Sequence, residues 1–394
     1  MIPEAADAIL LRSMPRSVLV LGSTGSVGRQ TLDVLEGLSA THQVIGLSAA
    51  TSAAQLSAQA QRWSPEFVCL AGDGPAPDLP SRCQLFRGPD GLVELVEAAQ
   101  ADVVVCAITG AAGLPSTLAA AETETVLAIA NKESLVLAGH LLKDATARSG
   151  ATIVPVDSEH SAIYQCLHGR RKDVRRLILT ASGGPFRGYD TERLKSVTLA
   201  QALRHPSWDM GPRITVDSAT LMNKALEVVE ACILFDVTVD DIHVVVHPQS
   251  VIHSMVEYID GAVLAQLSSP DMRLPIRFAL GHPHRVPTPA EPVDFTAFSG
   301  LTFEEPDRET FPLLALGEQV ARQGGLAGTV FNAANEVAVD AFLKERIPFS
   351  DIPVLVGAAC ANTPAQDAPD LATILSTDAA VRRQTQALLP QPTP

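Results

Sequence analysis

The sequence predicts an α/β protein built in three parts: an N-terminal parallel sheet, a central α/β domain with a mixed or antiparallel sheet, and a C-terminal helical bundle. Three observations carry this expectation. Short apolar runs alternate with Ala-rich stretches of helical spacing up to about Asp157, which is the pattern of a parallel sheet covered by helices. Longer strand-like runs follow, RRLILTAS and HVVVHPQSVIHSMVEYIDGAVLAQL, the second folding back at an Asp260-Gly261 turn of hairpin type. A Pro-rich stretch over 282–295 then leads into helical apolar spacing around NAANEVAVDAFL and IPVLVGAACAN.

Taken in order, the first sixteen residues read as a loose extension, because their apolar run is too short for a signal-peptide core. SVLVLGSTGSVGRQTLDVL reads as strand, glycine turn and amphipathic helix, the opening of a βαβ unit. HQVIGLSA, PEFVCLAG, ADVVVCAIT, TVLAIAN and TIVPVD are the further strands, and 71–80 is a surface loop. TVDSATLMNKALEVVEACILF contains no Gly or Pro after its Ser218 cap and reads as one helix over 218–235. The last four residues read as a frayed tail.

Composition narrows the function classes. With 394 residues and 46% apolar against 19% charged residues, the chain has material for more than one core. A net charge of −15 repels nucleic acid and anionic membrane surfaces, so neither is expected as a partner. No window supplies the roughly 20 apolar residues that a membrane helix requires. Six scattered cysteines without a CxxC pair read as reduced thiols in a cytoplasmic protein.

Several segments could carry chemistry. Gly22, Gly25 and Gly28 stand between a strand and a helix, where glycines let a pyrophosphate approach a helix N-terminus. The second strand ends in Ala50-Thr51-Ser52 without the acid that would bind the 2′-hydroxyl of NAD, which favours NADP, although no cation stands there to meet its phosphate. Asp157 and Glu159 lie two apart at a strand end, so an extended chain points both carboxylates to one side. On the 218–235 helix, Asn223, Glu227 and Glu230 share a face flanked by Lys224, which reads either as a solvated face with a Lys224–Glu227 surface pair or as a third oxygen ligand beside phosphate donors. Oxygen-only ligation favours Mg²⁺ or Mn²⁺ over zinc. TASGGPF offers paired glycines for a backbone anion nest with Ser182 beside it, or a simple turn. Trp208, on the Pro/Gly-rich loop 204–213, is either an anchor or a lid. His205, His247 and His253 are candidate acid–base groups, each also readable as structural.

GSTGSVG, ANKESLV, PVDSEHSAI, ASGGPF, HPSWDMG, ITVDSATLMNKALEVVEA, HPQSVIHSMV and NAANEV, in this order, closely resemble the 1-deoxy-D-xylulose 5-phosphate reductoisomerase family, from about residue 17 into the C-terminal region. The resemblance implies a homodimer joined through the sheet of the central domain. It also implies NADPH-dependent isomerisation and reduction of a sugar phosphate to 2-C-methyl-D-erythrose 4-phosphate. The implied domains are a Rossmann-like NADPH domain over 1–157, a catalytic and dimerisation domain over 158–281 with its flap at 204–213, a linker over 282–307 and a helical domain over 308–394.

By the same resemblance, Asp157, Glu159 and Glu227 hold Mg²⁺ or Mn²⁺, and Lys132 stands by the reacting carbons. Asn131 and Glu133 flank the nicotinamide. Ser182, Ser218, Asn223 and Lys224 hold the substrate phosphate, Ser158 and His205 contact the substrate's hydroxyl end and flank, and Trp208 closes over it. Thr24, Gly25, Ser26, Val27 and Gly211 contact the cofactor. Many family members carry a Gly-Lys-Asn type sequence where this chain has Ala50-Thr51-Ser52, so Thr51 and Ser52 hydroxyls would replace the cationic contact. Two other readings compete: a metal-dependent hydroxy-acid or semialdehyde dehydrogenase, which leaves Trp208 and SGGPF unexplained, and a non-catalytic dinucleotide-binding regulator, which should have lost one of Lys132, Asp157, Glu159 or Glu227 and has not.

Overall fold

The computed structural model describes residues 14–390 apart from 168, 209, 291, 364 and 365. The expected loose extension therefore falls almost wholly outside the described residues, as does the tail. The chain forms two compact units.

The first unit comprises Met1–Ser134, Leu141–Ser161 and Asp271–Glu291. Its strands are β1 (Arg16–Leu21), β2 (His42–Ala49), β3 (Phe67–Leu70), β4 (Gln84–Arg87), β5 (Val103–Cys106), β6 (Val126–Ile129) and β7 (Thr152–Pro155). They form one parallel sheet in the order β4-β3-β2-β1-β5-β6-β7. Val18 to Leu21 are wholly buried, as a strand covered on both faces requires. The chain leaves β1 towards β2 on one side and returns to β5 on the other, which opens a crevice at the carboxyl ends of these strands. Strand β4 escaped sequence reading because its four residues bury only Phe86 fully. Late in the chain, the helix Arg273–Gly281 joins this unit: Ile276, Ala279 and Leu280 enter the core with Val18 and Leu32, and Arg16 donates to the Leu280 and His282 carbonyls at 3.0 and 2.9 Å.

The second unit comprises Leu135–His140, Ala162–Pro270 and Pro292–Pro394. Its sheet runs β11-β10-β8-β9, with β8 (Val174–Ala181), β9 (Ile242–Val246), β10 (Ile252–Tyr258) and β11 (Val263–Leu267). Strand β10 is antiparallel to β8 and β11 while β8 and β9 are parallel, so the sheet is mixed. Gly261, at φ +85°, makes the hairpin turn between β10 and β11. The helices Pro312–Gln323, Ala327–Leu343, Asp351–Cys360 and Leu371–Leu388 form the expected bundle, with Ala327–Leu343 buried along nearly its whole length. Gly317 lets Pro312–Gln323 approach the helix Met222–Phe235, since a Cβ there would lie 2.5 Å from that of Ala225.

The single helix expected over 218–235 is two, Pro212–Ala219 and Met222–Phe235, separated by Leu221 at φ +59°. Thr220 breaks it: its hydroxyl donates to the Val216 and Asp217 carbonyls and accepts from the Met222 amide, offering the backbone an alternative to the helical ladder. Ser218 consequently lies in the last turn of the first helix and does not cap the second. No described helix is long and apolar enough to cross a membrane.

Candidate active site

In the first unit the glycine turn sits at the carboxyl end of β1. Gly22 has φ +82°, and a Cβ there would meet the Ala107 carbonyl oxygen at 2.7 Å; one on Gly28 would meet the Gly22 oxygen at 2.2 Å. Both contacts hold the turn tight against β5 and the helix Ser26–Glu36 close beneath the turn. That helix starts at Gly25 without a side-chain cap, so with Gly25 and Ser26 exposed and Thr24 and Val27 half-buried, its first amides are open to an anion. Thr51 and Ser52, after β2, are also exposed, and Ser52 precedes the helix Ala53–Trp63 without capping it through its side chain.

The ANKES segment follows β6 at the same sheet edge. Asn131 caps the helix Lys132–Ser149 by accepting from the Ser134 amide at 2.6 Å, while its amide nitrogen donates to the Ile108 and Gly110 carbonyls. Glu133 accepts from the Gly110 amide at 3.0 Å. These two side chains thus fix the loop after β5 and aim Lys132, whose Nζ lies 2.6 Å from Asp157 Oδ2. Burial would raise the Asp157 carboxyl, but the Lys132 ammonium and the buried His160 beside it hold it well below the usual carboxylate range.

Asp157 and Glu159 come together for a different reason than strand alternation. The chain turns from β7 into the helix Ser158–Leu167, leaving Asp157 just ahead of the helix and Glu159 in its first turn. A carboxylate oxygen of each lies within 4.8 Å of the other, and Ser158 Oγ donates to Glu159.

In the second unit, His205 gathers the candidate phosphate hydroxyls. Its Nε2 lies 3.0 Å from both Ser182 Oγ and Ser218 Oγ. Its Nδ1 accepts from the Trp208 and Ser207 amides at 2.9 and 3.3 Å, so the neutral ring carries its proton on Nε2, facing the serines. His205 thus stands beside Ser182 and Ser218, the two serines that the resemblance gives to the substrate phosphate. SGGPF serves it differently from a bare nest: Gly183 and Gly184, at φ +84° and +67°, turn the Gly184 amide onto Ser182 Oγ at 3.2 Å. Phe186 then anchors the turn, wholly buried with its ring 5.1 Å from that of Phe349.

The NKALE face is buried, not solvated. Glu227 is 0% exposed and Lys224 4%, and Lys224 Nζ pairs with Glu227 Oε2 while Asn223 Nδ2 donates to Oε1 at 2.5 Å. Glu230, one turn on, is buried as well. Taking an ammonium and two carboxylates out of water costs several kcal/mol per ion, so solvated-surface chemistry does not account for the face.

Trp208 is half-buried, with its ring centroid 5.9 Å from that of His253; residue 209 of the flap lies outside the described residues. Gly211 is exposed and precedes the helix Pro212–Ala219. His253 bonds the Ser268 carbonyl, and His247 spends both nitrogens on the backbone of Thr302 and Val251 and stacks on Phe303, so His247 is structural. Sequence reasoning gave no role to His160, although its place three residues after Asp157 on a helix was a signal. It also gave none to Asp217, Asn335 and Glu336, buried polar groups that only tertiary packing brings together.

Comparison with known proteins places these features in one family. A family model described as 1-deoxy-D-xylulose 5-phosphate reductoisomerase matches residues 18–139, and two models of reductoisomerase C-terminal domains match 153–235 and 267–384. The 1-deoxy-D-xylulose 5-phosphate reductoisomerase of Rhodospirillum centenum is 50% identical over 93% of each chain, and that of Heliobacterium modesticaldum 48% identical over 94% of this chain and 96% of its own. Among solved structures, the Zymomonas mobilis reductoisomerase in complex with NADPH aligns with TM-score 0.89 and 45% identity, covering 95% of this chain and 99% of that one. A reductoisomerase solved with NADPH, fosmidomycin and magnesium aligns with TM-score 0.88 and 39% identity, covering 94% and 98%.

Proposed function

The chain belongs to the 1-deoxy-D-xylulose 5-phosphate reductoisomerase family and, with NADPH and a divalent metal ion, converts that sugar phosphate to 2-C-methyl-D-erythrose 4-phosphate for isoprenoid synthesis; we propose the following division of this work among its residues. Asp157, Glu159 and Glu227 hold Mg²⁺ or Mn²⁺. Their donor set fits: three carboxylates supply only hard oxygen, and all six cysteines are free thiols, four of them pushed up to about 11 or 12 by burial. Thr24, Gly25, Ser26 and Val27 cradle the cofactor pyrophosphate, Thr51 and Ser52 meet its 2′-phosphate, and Asn131, Glu133 and Gly211 border its nicotinamide. The space that Gly22 and Gly28 keep free of side chains fits that cradle.

When bound, the ion supplies Lewis acidity at the ketose carbonyl and hydroxyl oxygens and NADPH supplies the hydride. The chain's residues orient and protect the substrate around these groups. Ser182, Ser218, His205, Asn223 and Lys224 receive the phosphate, with Nε2–H of His205 and the two hydroxyls converging as donors. They provide the local positive field that the net charge of −15 denies elsewhere. Ser158 orients the sugar hydroxyls. Lys132 Nζ donates to the reacting oxygens and exchanges protons there. Trp208 excludes water as the flap 204–213 closes, and the Trp208 amide bond to His205 Nδ1 links closure to phosphate binding.

The observation that carries this reading is the buried Lys224–Glu227 pair with half-buried Asn223 bonded to it, a charged cluster whose cost is offset when an ion and a phosphate bind. Following NADPH absorbance with the sugar phosphate, Mg²⁺ or Mn²⁺, and then a chelator tests it. Metal-dependent oxidation yielding the branched tetrol phosphate supports the assignment, whereas unchanged absorbance in folded, metal-saturated protein defeats it.

The protein works as a homodimer through the mixed sheet. In support, β11 is an edge strand with Val263 and Leu264 exposed, and Ile259 is exposed beside the turn. Light scattering that gives the 41.6 kDa mass of one chain at micromolar concentration would refute this. Its compartment is the cytoplasm, which keeps the six thiols reduced.

A further inference from the structure

We propose that Glu336 is a positioning residue for the reaction: through Arg213 it fixes the helix that joins the flap to Ser218. The helix Pro212–Ala219 begins where the flap ends and carries Ser218 in its last turn. Two side-chain bonds tie it to the buried helix Ala327–Leu343, one at each end. Arg213 Nη1 donates to Glu336 Oε2 at 3.0 Å, and Asn335 Nδ2 donates to Asp217 Oδ1 at 2.8 Å. Asn332, Asn335, Glu336 and Asp217 are all buried, so NAANEV, a motif without a part in binding or catalysis so far, lines the inner side of this clamp.

The two partners of the Arg213 bond differ in freedom. Glu336 is held from its own side by Asn332 Nδ2 at 2.9 Å and by Arg382 Nη1 at 3.1 Å, and Arg382 is itself forked onto Asp378 at 2.6 and 3.0 Å. The Arg213 side chain keeps 40% of its exposure. A preorganised carboxylate therefore holds a partly exposed guanidinium at the flap's exit, which sets where the flap pivots and where Ser218 Oγ stands relative to His205.

This inference rests on the reading of Trp208 as a lid and Ser218 as a phosphate donor, and the test separates the two. Steady-state kinetics and melting temperatures are compared for Arg213→Met, Arg213→Lys, Glu336→Gln, Arg382→Met and Ser218→Ala. In a Trp63→Phe background, Trp208 fluorescence reports closure when the sugar phosphate is added, because the chain has only two tryptophans. Arg213→Met and Glu336→Gln should raise KM for the sugar phosphate about three- to tenfold, the worth of one partly exposed charge-assisted bond. They should leave kcat within about twofold and KM for NADPH unchanged, and should weaken the fluorescence response. Arg213→Lys should restore part of the loss. Arg382→Met, which touches the same carboxylate from the bundle side, should lower the melting temperature without moving KM.

An unchanged KM and fluorescence response in folded Arg213→Met overturns the proposal, as does an equal KM shift in Arg382→Met, which would mark the network as bundle stability alone. Should Glu336→Gln not fold, the half-exposed Arg213 variants decide by themselves. If Ser218→Ala leaves KM unmoved, the phosphate reading fails. The clamp then stands or falls on whether Arg213→Met alters the Trp208 signal.

Discussion

The two units offer opposite kinds of surface to the anionic groups proposed to bind them. In the first, the anion-facing surface is backbone: the uncapped amides after Gly25, on a turn that Gly22 and Gly28 hold tight, with exposed hydroxyls at Thr51 and Ser52. In the second, it is side chains buried at a cost: Lys224 and Glu227 paired out of water, and His205 spanning Ser182 and Ser218. Backbone sites need no partner beyond their own turn, so they tolerate local change gently. Charged side-chain sites are interdependent, and removing one member leaves another uncompensated.

The sharpest way to break this comparison is Glu227→Gln. With a metal ligand gone and Lys224 left without its carboxylate, kcat should fall by two orders of magnitude or more, while the dissociation constant for NADPH should stay put because Glu227 is not among the residues proposed to hold the cofactor. Fluorescence titration of NADPH beside single-turnover kinetics checks both halves. A matching loss of NADPH affinity would show that the units do not divide the work as drawn.

Lys132→Met comes next, with kcat expected to drop about a hundredfold, the usual range for a positioned proton donor. It carries a pH signature as well. The Asp157 carboxyl is held below its ordinary range in the folded protein, so its pairing with Lys132 contributes stability above the unfolded carboxylate range and loses it as pH falls through the depressed folded value. In chelator, the melting temperature of Lys132→Met should therefore fall less steeply on acidification than that of the parent. Parallel acid limbs would remove Lys132 as the group responsible.

The same contrast explains what the sequence made legible. Six short apolar runs and a glycine turn are local signals, so the parallel sheet, its βαβ opening and the tight turn after β1 were readable, with only β4 missed for want of buried residues. Asp157, Glu159 and Glu227 stood out as candidates in the sequence, and the resemblance gave them their proposed role as ligands. Their settings were not readable: extended-strand geometry misjudged the turn that places Glu159 in a helix, and helix periodicity alone left the NKALE face open between a solvated face and an oxygen ligand beside phosphate donors, without showing that it is buried. Thr220 interrupts a stretch with no Gly or Pro because its hydroxyl competes for backbone partners, a choice that propensity does not register. The polar groups of NAANEV face Asp217 and Arg213 from more than a hundred residues away, beyond any local pattern.

Ser218→Ala should act more mildly, raising KM for the sugar phosphate about tenfold through one lost bond to a charged group, with little change in kcat. Because His205 Nε2 also faces Ser182, that second hydroxyl keeps the ring in place. The double variant Ser182→Ala/Ser218→Ala should therefore lose more than the product of the two single effects. Simple multiplication would mean that the serines bind independently and that His205 does not couple them.

The smallest expected effect tests the backbone side. Thr51 and Ser52 stand exposed at the end of β2, ahead of a helix whose first turn holds no acid. Loop residues Gly72 and Gly74 pack against Ala50 and Thr51, and Arg87 reaches only as far as the Gly74 carbonyl, at 3.1 Å. On the proposed reading, a 2′-phosphate here would meet hydroxyls and amides, and discrimination against NADH would rest on weak neutral donors and on the lack of an acid that would favour NADH. Thr51→Lys adds an ammonium that solvent screens. The ratio of kcat/KM for NADPH over NADH should rise about three- to tenfold, with kcat for NADPH unchanged. The gain should shrink as salt is raised from 0.05 to about 0.5 M, since an exposed pair is screened within a Debye length. A ratio that does not move, or one that moves without salt dependence, would mean the phosphate is read elsewhere than at the end of β2.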